Sequence, residues 1–239
     1  SSSARVTWTA PTGVAVTGFT VTPYAGSTAG TPVTASGSAT SAVVTGLTNG
    51  TAYTFKVVAS NSSGDGPASA ASNTVTPAAT IFDFATPSTV DGGDTSSVVL
   101  GAKFTSDTDG WITGIRFYKA AANTGTHVGG LYSAGGSLLA QATFGSESDS
   151  GWQTAYFASP QAITAGTTYI ATYLAPNGHY SLTGAAFAAG AVNNPPLHAL
   201  SDSTSPNGVY AYSGALTFPA SSFNATNYFV DVLFSSSGS

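Results

Sequence analysis

Apolar and polar residues alternate in short runs along the whole chain, with the two-residue period of half-buried β-strands. The clearest run is residues 110–119, in which one side has Trp111, Thr113, Ile115 and Phe117 and the other has Ile112, Gly114, Arg116 and Tyr118. An Asn-Thr-Gly turn follows, and a second alternating run carries His127 back the other way. We therefore predict a β-hairpin over residues 110–132. No segment shows a sustained helical period.

Turn signals at regular spacing separate the short predicted strands of the first part of the chain, which cover residues 4–9, 18–24, 41–45, 52–60 and 73–76. This spacing is typical of a β-sandwich. The later strands are longer and richer in aromatic residues, and are predicted at residues 97–104, 110–119, 126–133, 138–144, 151–157, 167–174, 209–213 and 228–234. So many antiparallel strands predict a larger antiparallel two-sheet sandwich or jelly roll. The fold class is therefore all-β.

A Pro-containing segment, Thr76-Pro77-Ala78-Ala79-Thr80, separates the two patterns and predicts domains at residues 1–78 and 79–239. A long irregular stretch lies between Pro176 and Asn207 in the second domain. Segments of this length inside a compact domain are commonly functional or disordered. The aromatic residues at its borders favour a functional segment.

Composition narrows the choice of partner. Only 6% of the 239 residues are charged, the net charge is −5, and Lys and Arg together number five. Nucleic acid and anionic membrane surfaces require clustered cations, so both are disfavoured and a neutral partner fits best. The chain has no cysteine, and we find no apolar run long enough to span a bilayer and no signal peptide. We expect a monomeric fragment of a longer secreted protein.

Three motifs in the first domain occur in the order found in fibronectin type III modules. Residues 5–8 (Arg-Val-Thr-Trp) resemble the strand that bears the core tryptophan, residues 43–47 the strand leading to the EF corner, and residues 51–57 the strand of the tyrosine corner. The resemblance implies that Trp8 and Tyr53 are core residues and that the module is a spacer. The family's usual strand before the tryptophan strand has no counterpart here, so we expect an unprotected sheet edge.

The second domain carries a series of short motifs in a family-specific order, at residues 114–119, 123–129, 138–140, 151–153, 165–169, 176–180 and 227–232. Together they resemble a domain of unknown function found in large secreted bacterial proteins. There it stands beside fibronectin type III and immunoglobulin-like modules, often with carbohydrate-active regions. The resemblance implies an accessory module attached to a catalytic domain, and carbohydrate binding is one role it suggests. Tyr132 occupies a position where the family often has tryptophan.

Catalytic motifs are missing: the chain has no G-x-S-x-G, no H-E-x-x-H and no cysteine nucleophile. Its one glutamate, Glu147, lies two residues from Asp149, and a glycosidase needs two carboxylates across a cleft. A solvated turn is the simpler interpretation of this pair. We therefore predict that the chain is not an enzyme.

Two Asp-rich turns have the composition of oxygen-rich cation sites. One contains Asp107 and Asp109 before Gly110, and the other is residues 91–94, Asp-Gly-Gly-Asp. Ca²⁺ takes carboxylate and carbonyl oxygens, but the EF-hand glutamate is missing and such turns are common without metal. We expect no cofactor and leave open a structural Ca²⁺ at Asp107 and Asp109.

Tyrosine and tryptophan are more numerous in the second domain than its core requires, and tyrosines keep a polar tip in water. An aromatic ring face with amide, imidazole and guanidinium donors suits the C–H face and hydroxyl rim of a sugar. The candidate ligand-binding residues are Arg116, Tyr118, His127, Tyr132, Trp152, Tyr173, His179, Tyr180, Asn207, Tyr210 and Tyr212. We favour the three that flank the long segment, which are Tyr180, Tyr210 and Tyr212.

Two functions remain open. The first is a non-catalytic carbohydrate-binding module that holds an attached enzyme near a polysaccharide or oligosaccharide. The second is a structural or adhesive surface module without a small-molecule site, in which the aromatic residues are core. For His127, a satisfied sheet histidine is also the simpler interpretation.

Overall fold

The computed structural model describes residues 2–238, and the chain divides into two compact units, residues 1–78 and 79–239. All extended regular structure in the described residues is β-strand, and they contain no helix. The predicted all-β class is confirmed. Accordingly, no helix within residues 2–238 has the length and apolar character needed to cross a membrane.

The first unit is a two-sheet sandwich. Its small sheet pairs β1 (Ala4–Thr7) with β5 (Ser41–Val44). Its larger sheet contains the remaining strands of the unit, β2 (Gly18–Ala25), β3 (Thr28–Ala29), β4 (Val33–Ser36), β6 (Tyr53–Asn61) and β7 (Gly64–Asp65). Alternate residues of these strands point inward and form the core, which includes Val6, Val21, Val44 and Phe55.

Two aromatic residues of the first unit occupy the places expected of a fibronectin type III sandwich. The Trp8 ring packs on Phe19 with ring centroids 5.1 Å apart, and the Thr48 backbone N–H donates to the Tyr53 hydroxyl at 3.1 Å, which forms a tyrosine corner. The strand predicted at residues 73–76 is reduced to a single bridge, between Val75 and Tyr53. In the described residues β1 pairs only with β5, so its other edge has no strand partner.

The second unit is a sandwich of an eight-stranded and a three-stranded sheet. The large sheet contains β8 (Val98–Ser106), β10 (Val128–Ser133), β11 (Leu138–Thr143), β13 (Tyr169–Ala175), β14 (Val192–Asn194), β15 (Leu197–Ala199), β16 (Val209–Tyr212) and β17 (Ser221–Ser222). Its order is β11-β10-β13-β8-β15-β14, with β16 paired to β8 and β17 paired to β16. The small sheet has the order β12-β9-β18, from β9 (Gly110–Lys119), β12 (Gly151–Ile163) and β18 (Val230–Ser235).

The core of the second unit lies between these sheets. Phe117 of β9 and Val232 of β18 point inward from the small sheet, and Leu100 of β8 and Tyr173 of β13 point inward from the large one. Phe117 and Tyr173 stack on each other between the two sheets, with ring centroids 4.1 Å apart. β13 is buried along its whole length and β18 over all but its last residue, so both faces of these strands are covered, whereas β12 alternates buried and exposed residues.

The hairpin predicted over residues 110–132 is wrong. Both edges of β9 are occupied by β12 and β18, whereas β10 lies in the other sheet between β11 and β13. The connection crosses from one sheet to the other, and its Asn123 and His127 are fully buried. The alternation identified both strands correctly, but it carries no information on which strand edges pair.

The stretch between Pro176 and Asn207 is a packed part of the sandwich. It forms the antiparallel pair β14 and β15, and β15 pairs with β8. Phe187 and Leu197 are both fully buried in the main core. This segment therefore adds strands to the large sheet, and Tyr180, Tyr210 and Tyr212 at its borders line one pocket.

Candidate functional site

A pocket of about 240 Å³ in the second unit is lined mainly by aromatic rings. Val98 and Leu100 of β8 form its apolar base, and the aromatic lining residues are Tyr180, Tyr210, Tyr212, Phe223 and Tyr228. We call this the tyrosine pocket. It joins residues that are separated by more than 100 positions in the sequence.

Strand pairing explains why two of these tyrosines face the pocket. Tyr210 and Tyr212 are alternate residues of β16, so their side chains lie on the same face. In the register with β8, Tyr210 stands opposite Leu100 and Tyr212 opposite Val98. Directly opposite residues share a sheet face, which places both rings over the apolar base.

The rings form two nearly perpendicular pairs. Tyr210 and Tyr212 meet at 76° with centroids 5.8 Å apart, and Tyr180 and Tyr228 meet at 83° with centroids 5.5 Å apart. Tyr228 is buried, whereas Tyr212 is 60% and Phe223 66% exposed. The pocket thus has an enclosed inner wall and an open outer rim.

One carboxylate accompanies the rings. Asp94 Oδ2 accepts hydrogen bonds from the Tyr212 hydroxyl at 2.7 Å and from the Tyr180 hydroxyl at 3.4 Å, while Oδ1 accepts from the Ser96 backbone N–H at 2.9 Å. Burial alone would raise the pKa of Asp94. The hydrogen bonds from Ser96, Tyr212 and Tyr180 outweigh it, so the pKa is lowered and the group is an anion at neutral pH.

Burial and the Asp94 carboxylate keep three of the tyrosines protonated. Burial, followed by the nearby Asp94 charge, raises the pKa of Tyr180 to about 12. The hydrogen bond to Asp94 is the main reason that the pKa of Tyr212 is raised to about 12. Burial raises the pKa of Tyr228 to about 12 as well. All three hydroxyls are therefore neutral hydrogen-bonding groups at physiological pH.

A close backbone approach places Asp94. The His179 backbone N–H donates to the Asp94 carbonyl at 2.6 Å. Gly178 has a φ of +69°, and a Cβ at this position would lie 2.2 Å from the same carbonyl oxygen. Only glycine fits here. The His179 ring is turned to Asp91, whose carboxylate lies 3.0 Å from Nδ1.

The pocket therefore contains the three tyrosines favoured from the sequence, Tyr180, Tyr210 and Tyr212, and His179 adjoins it through its backbone. Sequence reasoning missed Phe223, Tyr228 and Asp94 as site residues. The Asp-Gly-Gly-Asp turn marked Asp94 as an unusual position, but nothing local connected it to tyrosines more than 80 residues away.

Arg116, Tyr118 and Trp152 lie together on the outer face of the small sheet. The Arg116 guanidinium is buried, pairs with Asp231 at 2.9 Å, donates to the Asp83 carbonyl and sits 4.1 Å from the Trp152 ring centroid. Trp152 Nε1 donates to the Ala85 carbonyl at 3.0 Å. These groups hold residues 80–85 onto the sheet.

His127 and Tyr173 are fully buried in the core. The His127 imidazole contacts Glu147 Oε1 at 2.8 Å and Asn123 Oδ1 at 2.9 Å, and Asn123 donates to the Tyr173 hydroxyl at 3.3 Å. Burial lowers the pKa of His127 despite Glu147, and it raises the pKa of Tyr173. This network satisfies buried polar groups and reaches no pocket surface.

Tyr132 and Asn207 are also enclosed. Tyr132 packs with Ile170 and Val209 in a small cluster and meets the Phe218 ring edge-on at 5.7 Å. The Asn207 side chain bonds both the N–H and the carbonyl of Lys103, at 2.8 and 3.0 Å. Neither side chain faces a ligand surface.

The carboxylates considered for catalysis and for metal have other partners. Glu147 is not in a solvated turn, because it bridges His127 and Lys119 at 2.8 Å each. Asp107 lies 2.8 Å from His198 Nε2, and Asp109 accepts from the Ala165 backbone N–H at 2.8 Å. Residues 2–238 contain no group of three or more His, Asp or Glu residues placed to hold a metal ion.

A larger pocket, of about 450 Å³, lies in the first unit beside Trp8. Its lining includes Pro11, Val14, Phe19 and Val57 and has no charged side chain. Two aromatic rings, Trp8 and Phe19, line this pocket, whereas five line the tyrosine pocket. We therefore take the smaller pocket as the candidate site.

Comparison with known families identifies both units. A family model described as "Domain of unknown function (DUF4082)" matches residues 84–230, and the fibronectin type III domain model matches residues 1–75. The two-segment arrangement expected from the sequence is confirmed. No curated protein matches the chain.

Among solved structures, the chitinase ChiA74 from Bacillus thuringiensis is similar at 18% identity and a TM-score of 0.24. The match covers 74% of this chain and 25% of the chitinase chain, so the present chain spans about a quarter of that protein's length. At this TM-score the likeness supports no statement about function.

Proposed function

The chain belongs to the family described as "Domain of unknown function (DUF4082)" through residues 84–230, and on that premise we propose that residues 79–239 bind carbohydrate, without catalysis, at the tyrosine pocket. The observation that carries the proposal is the convergence of four tyrosines and Phe223 on one pocket, with the Asp94 carboxylate hydrogen-bonded to the hydroxyls of two of these tyrosines. Neither family matched by the chain is a catalytic domain type.

The chemistry of the pocket suits a sugar. Aromatic faces pack against the apolar C–H face of a sugar ring, and hydroxyl and carboxylate groups exchange hydrogen bonds with its rim. Tyr212 and Phe223 keep most of their surface in water, and a bound sugar would cover part of it. Burial of that apolar surface is favourable at about 25 cal/mol per Å².

The surroundings of the pocket fit an accessory role. The fibronectin type III unit is proposed to act as a spacer within a longer secreted protein. An attached catalytic domain would then be held near its polysaccharide. Such tethering raises the effective concentration of substrate and does not change the intrinsic rate of the enzyme.

The test is a glycan-array screen and a polysaccharide pull-down with the full chain and its Tyr212→Ala and Tyr210→Ala variants. Loss of a stacked ring should weaken binding about three- to tenfold. Tyr156→Ala is the matched control, because Tyr156 is 68% exposed and lies outside the pocket. Binding to no glycan, or equal losses in all three variants, would favour the structural or adhesive module instead.

A further inference from the structure

The tyrosine pocket has features that favour a positively charged group on the ligand as well as a sugar ring. We infer that the bound sugar carries a protonated amine, which sits among the tyrosine rings with Asp94 as its counter-ion. This inference rests on the proposed function and deepens it by naming the substrate class, an amino sugar with a free amine.

The orientation of the rings favours a cationic ligand group. Both ring pairs of the pocket are nearly perpendicular, at 76° and 83°. Perpendicular rings form the walls of a box. A cation within about 6 Å of such ring faces is attracted by their quadrupoles, and aromatic boxes are a known means of binding organic ammonium groups.

The Asp94 carboxylate next to the rings also favours a cationic ligand group. Asp94 bonds two tyrosine hydroxyls and a backbone amide, and in the described residues no Lys, Arg or His side chain forms an ion pair with it. Lys119, whose backbone bridges to Tyr180, directs its ammonium to Glu147 at 2.8 Å. A negative charge therefore lies at the hydroxyl groups of two pocket tyrosines, and no cationic side chain of the described residues pairs with it.

The size of the pocket limits how much of the ligand it encloses. Its volume of about 240 Å³ is below the roughly 300–1,000 Å³ typical of pockets for drug-sized ligands. The pocket therefore has room for about one sugar unit with its amine, and a longer chain would extend past the open rim at Tyr212 and Phe223. Recognition of a single charged group at this position would supply specificity that a flat aromatic platform lacks.

The experiment compares two ligands that differ only at the nitrogen. Binding of glucosamine oligosaccharides and of their fully N-acetylated counterparts of equal length is measured by calorimetry with the full chain at about pH 6, where a sugar amine is protonated. We expect the free-amine series to bind about fivefold more tightly or better, with an advantage that shrinks as salt is added.

The variant Asp94→Asn removes the charge and keeps an oxygen that can accept from the Tyr212 hydroxyl. Its affinity for the free-amine series should fall about fivefold, while its affinity for the N-acetylated series should change less than about twofold. Asp149→Asn is the matched control, because it makes the same change in net charge at an exposed position outside the pocket. It should leave both affinities unchanged.

The outcomes separate the two proposals. Equal affinity of the wild type for both series would overturn the inference and leave carbohydrate binding standing. An equal loss of affinity for the free-amine series in Asp94→Asn and Asp149→Asn would also overturn the inference, because the net charge of the whole chain would then attract the amine. Failure of both series, together with a negative glycan array, would overturn the proposed function itself.

Discussion

At the scale of single residues, two aspartates of the second unit differ in their burial and in their partners. Asp231 is fully buried and accepts from the backbone N–H groups of Ile81, Phe82 and Val232, at 2.7, 3.0 and 2.7 Å, besides its pair with Arg116. Asp94 is only partly buried. Its carboxylate accepts from the hydroxyls of Tyr212 and Tyr180, which line an open pocket.

Asp231→Ala should destabilise the second unit by about 3–5 kcal/mol, because it leaves the buried Arg116 charge and three backbone N–H groups without their acceptor. Urea unfolding of the full chain, followed by fluorescence and circular dichroism, measures the change. Asp149→Ala is the control and should shift the free energy of unfolding by less than about 0.5 kcal/mol. A loss below about 1 kcal/mol for Asp231→Ala would contradict the structural role.

At the scale of elements, the sequence located most strands of the second unit but not their neighbours. The run at residues 110–119 coincides with β9, and the strand predicted at residues 209–213 differs from β16 by one residue. The hairpin prediction was wrong because alternation shows which residues share a face of a strand. It does not show which strand pairs with each edge, and distant strands can pair there. The placement of Asp94 likewise depends on a loop contact, at Gly178.

Gly178→Ala should destabilise the second unit and weaken ligand binding, because the new Cβ would lie 2.2 Å from the Asp94 carbonyl and push that residue away from Tyr212. Gly166→Ala separates this clash from backbone strain. Gly166 has a nearly identical φ, +68°, and open space around its Cβ position.

The Gly166→Ala variant should lose only roughly 1–2 kcal/mol of stability, which is the cost of a residue with a Cβ in the left-handed region, and should keep the wild-type affinity for the ligand. Thermal unfolding and calorimetric titration of both variants give the comparison. Equal effects of the two substitutions on affinity would show that the Gly178 contact does not position the pocket.

At the scale of the whole molecule, the raised tyrosine pKa values predict how stability depends on alkaline pH. The pKa of Tyr180, Tyr212 and Tyr228 rises from 10.0 to about 12 in the folded state. The folded state thus holds protons that the unfolded state releases. Their stabilising contribution is complete below about pH 10 and is lost as pH rises towards about 12.

Thermal unfolding of the full chain between about pH 8 and pH 11.5 tests this dependence, and the unfolding temperature should fall most steeply above about pH 10. Tyr212→Phe removes one of the three groups and should make the fall shallower. An unchanged slope in this variant would contradict the raised pKa of Tyr212.

The candidate site was only partly accessible to sequence reasoning. Tyr180, Tyr210 and Tyr212 could be nominated because they border one long segment, and the structure brings them to one pocket. Trp152 and His127 are candidates on the same ground of residue type, yet Trp152 covers Arg116 and His127 is core. Residue type does not reveal whether the space above a side chain is filled.

What the sequence by itself determined is what depends on neighbours along the chain: the strand period, the turn positions, the change of pattern near residue 78 and the order of the two families. Tertiary structure alone decided the pairing of β9 with β12 and β18, the burial of His127, and the approach of Asp94 to Tyr212 across 118 positions. The physical reason is that hydrophobic periodicity is a local property. Sheet neighbours and pocket partners are instead set by packing between segments far apart in the chain.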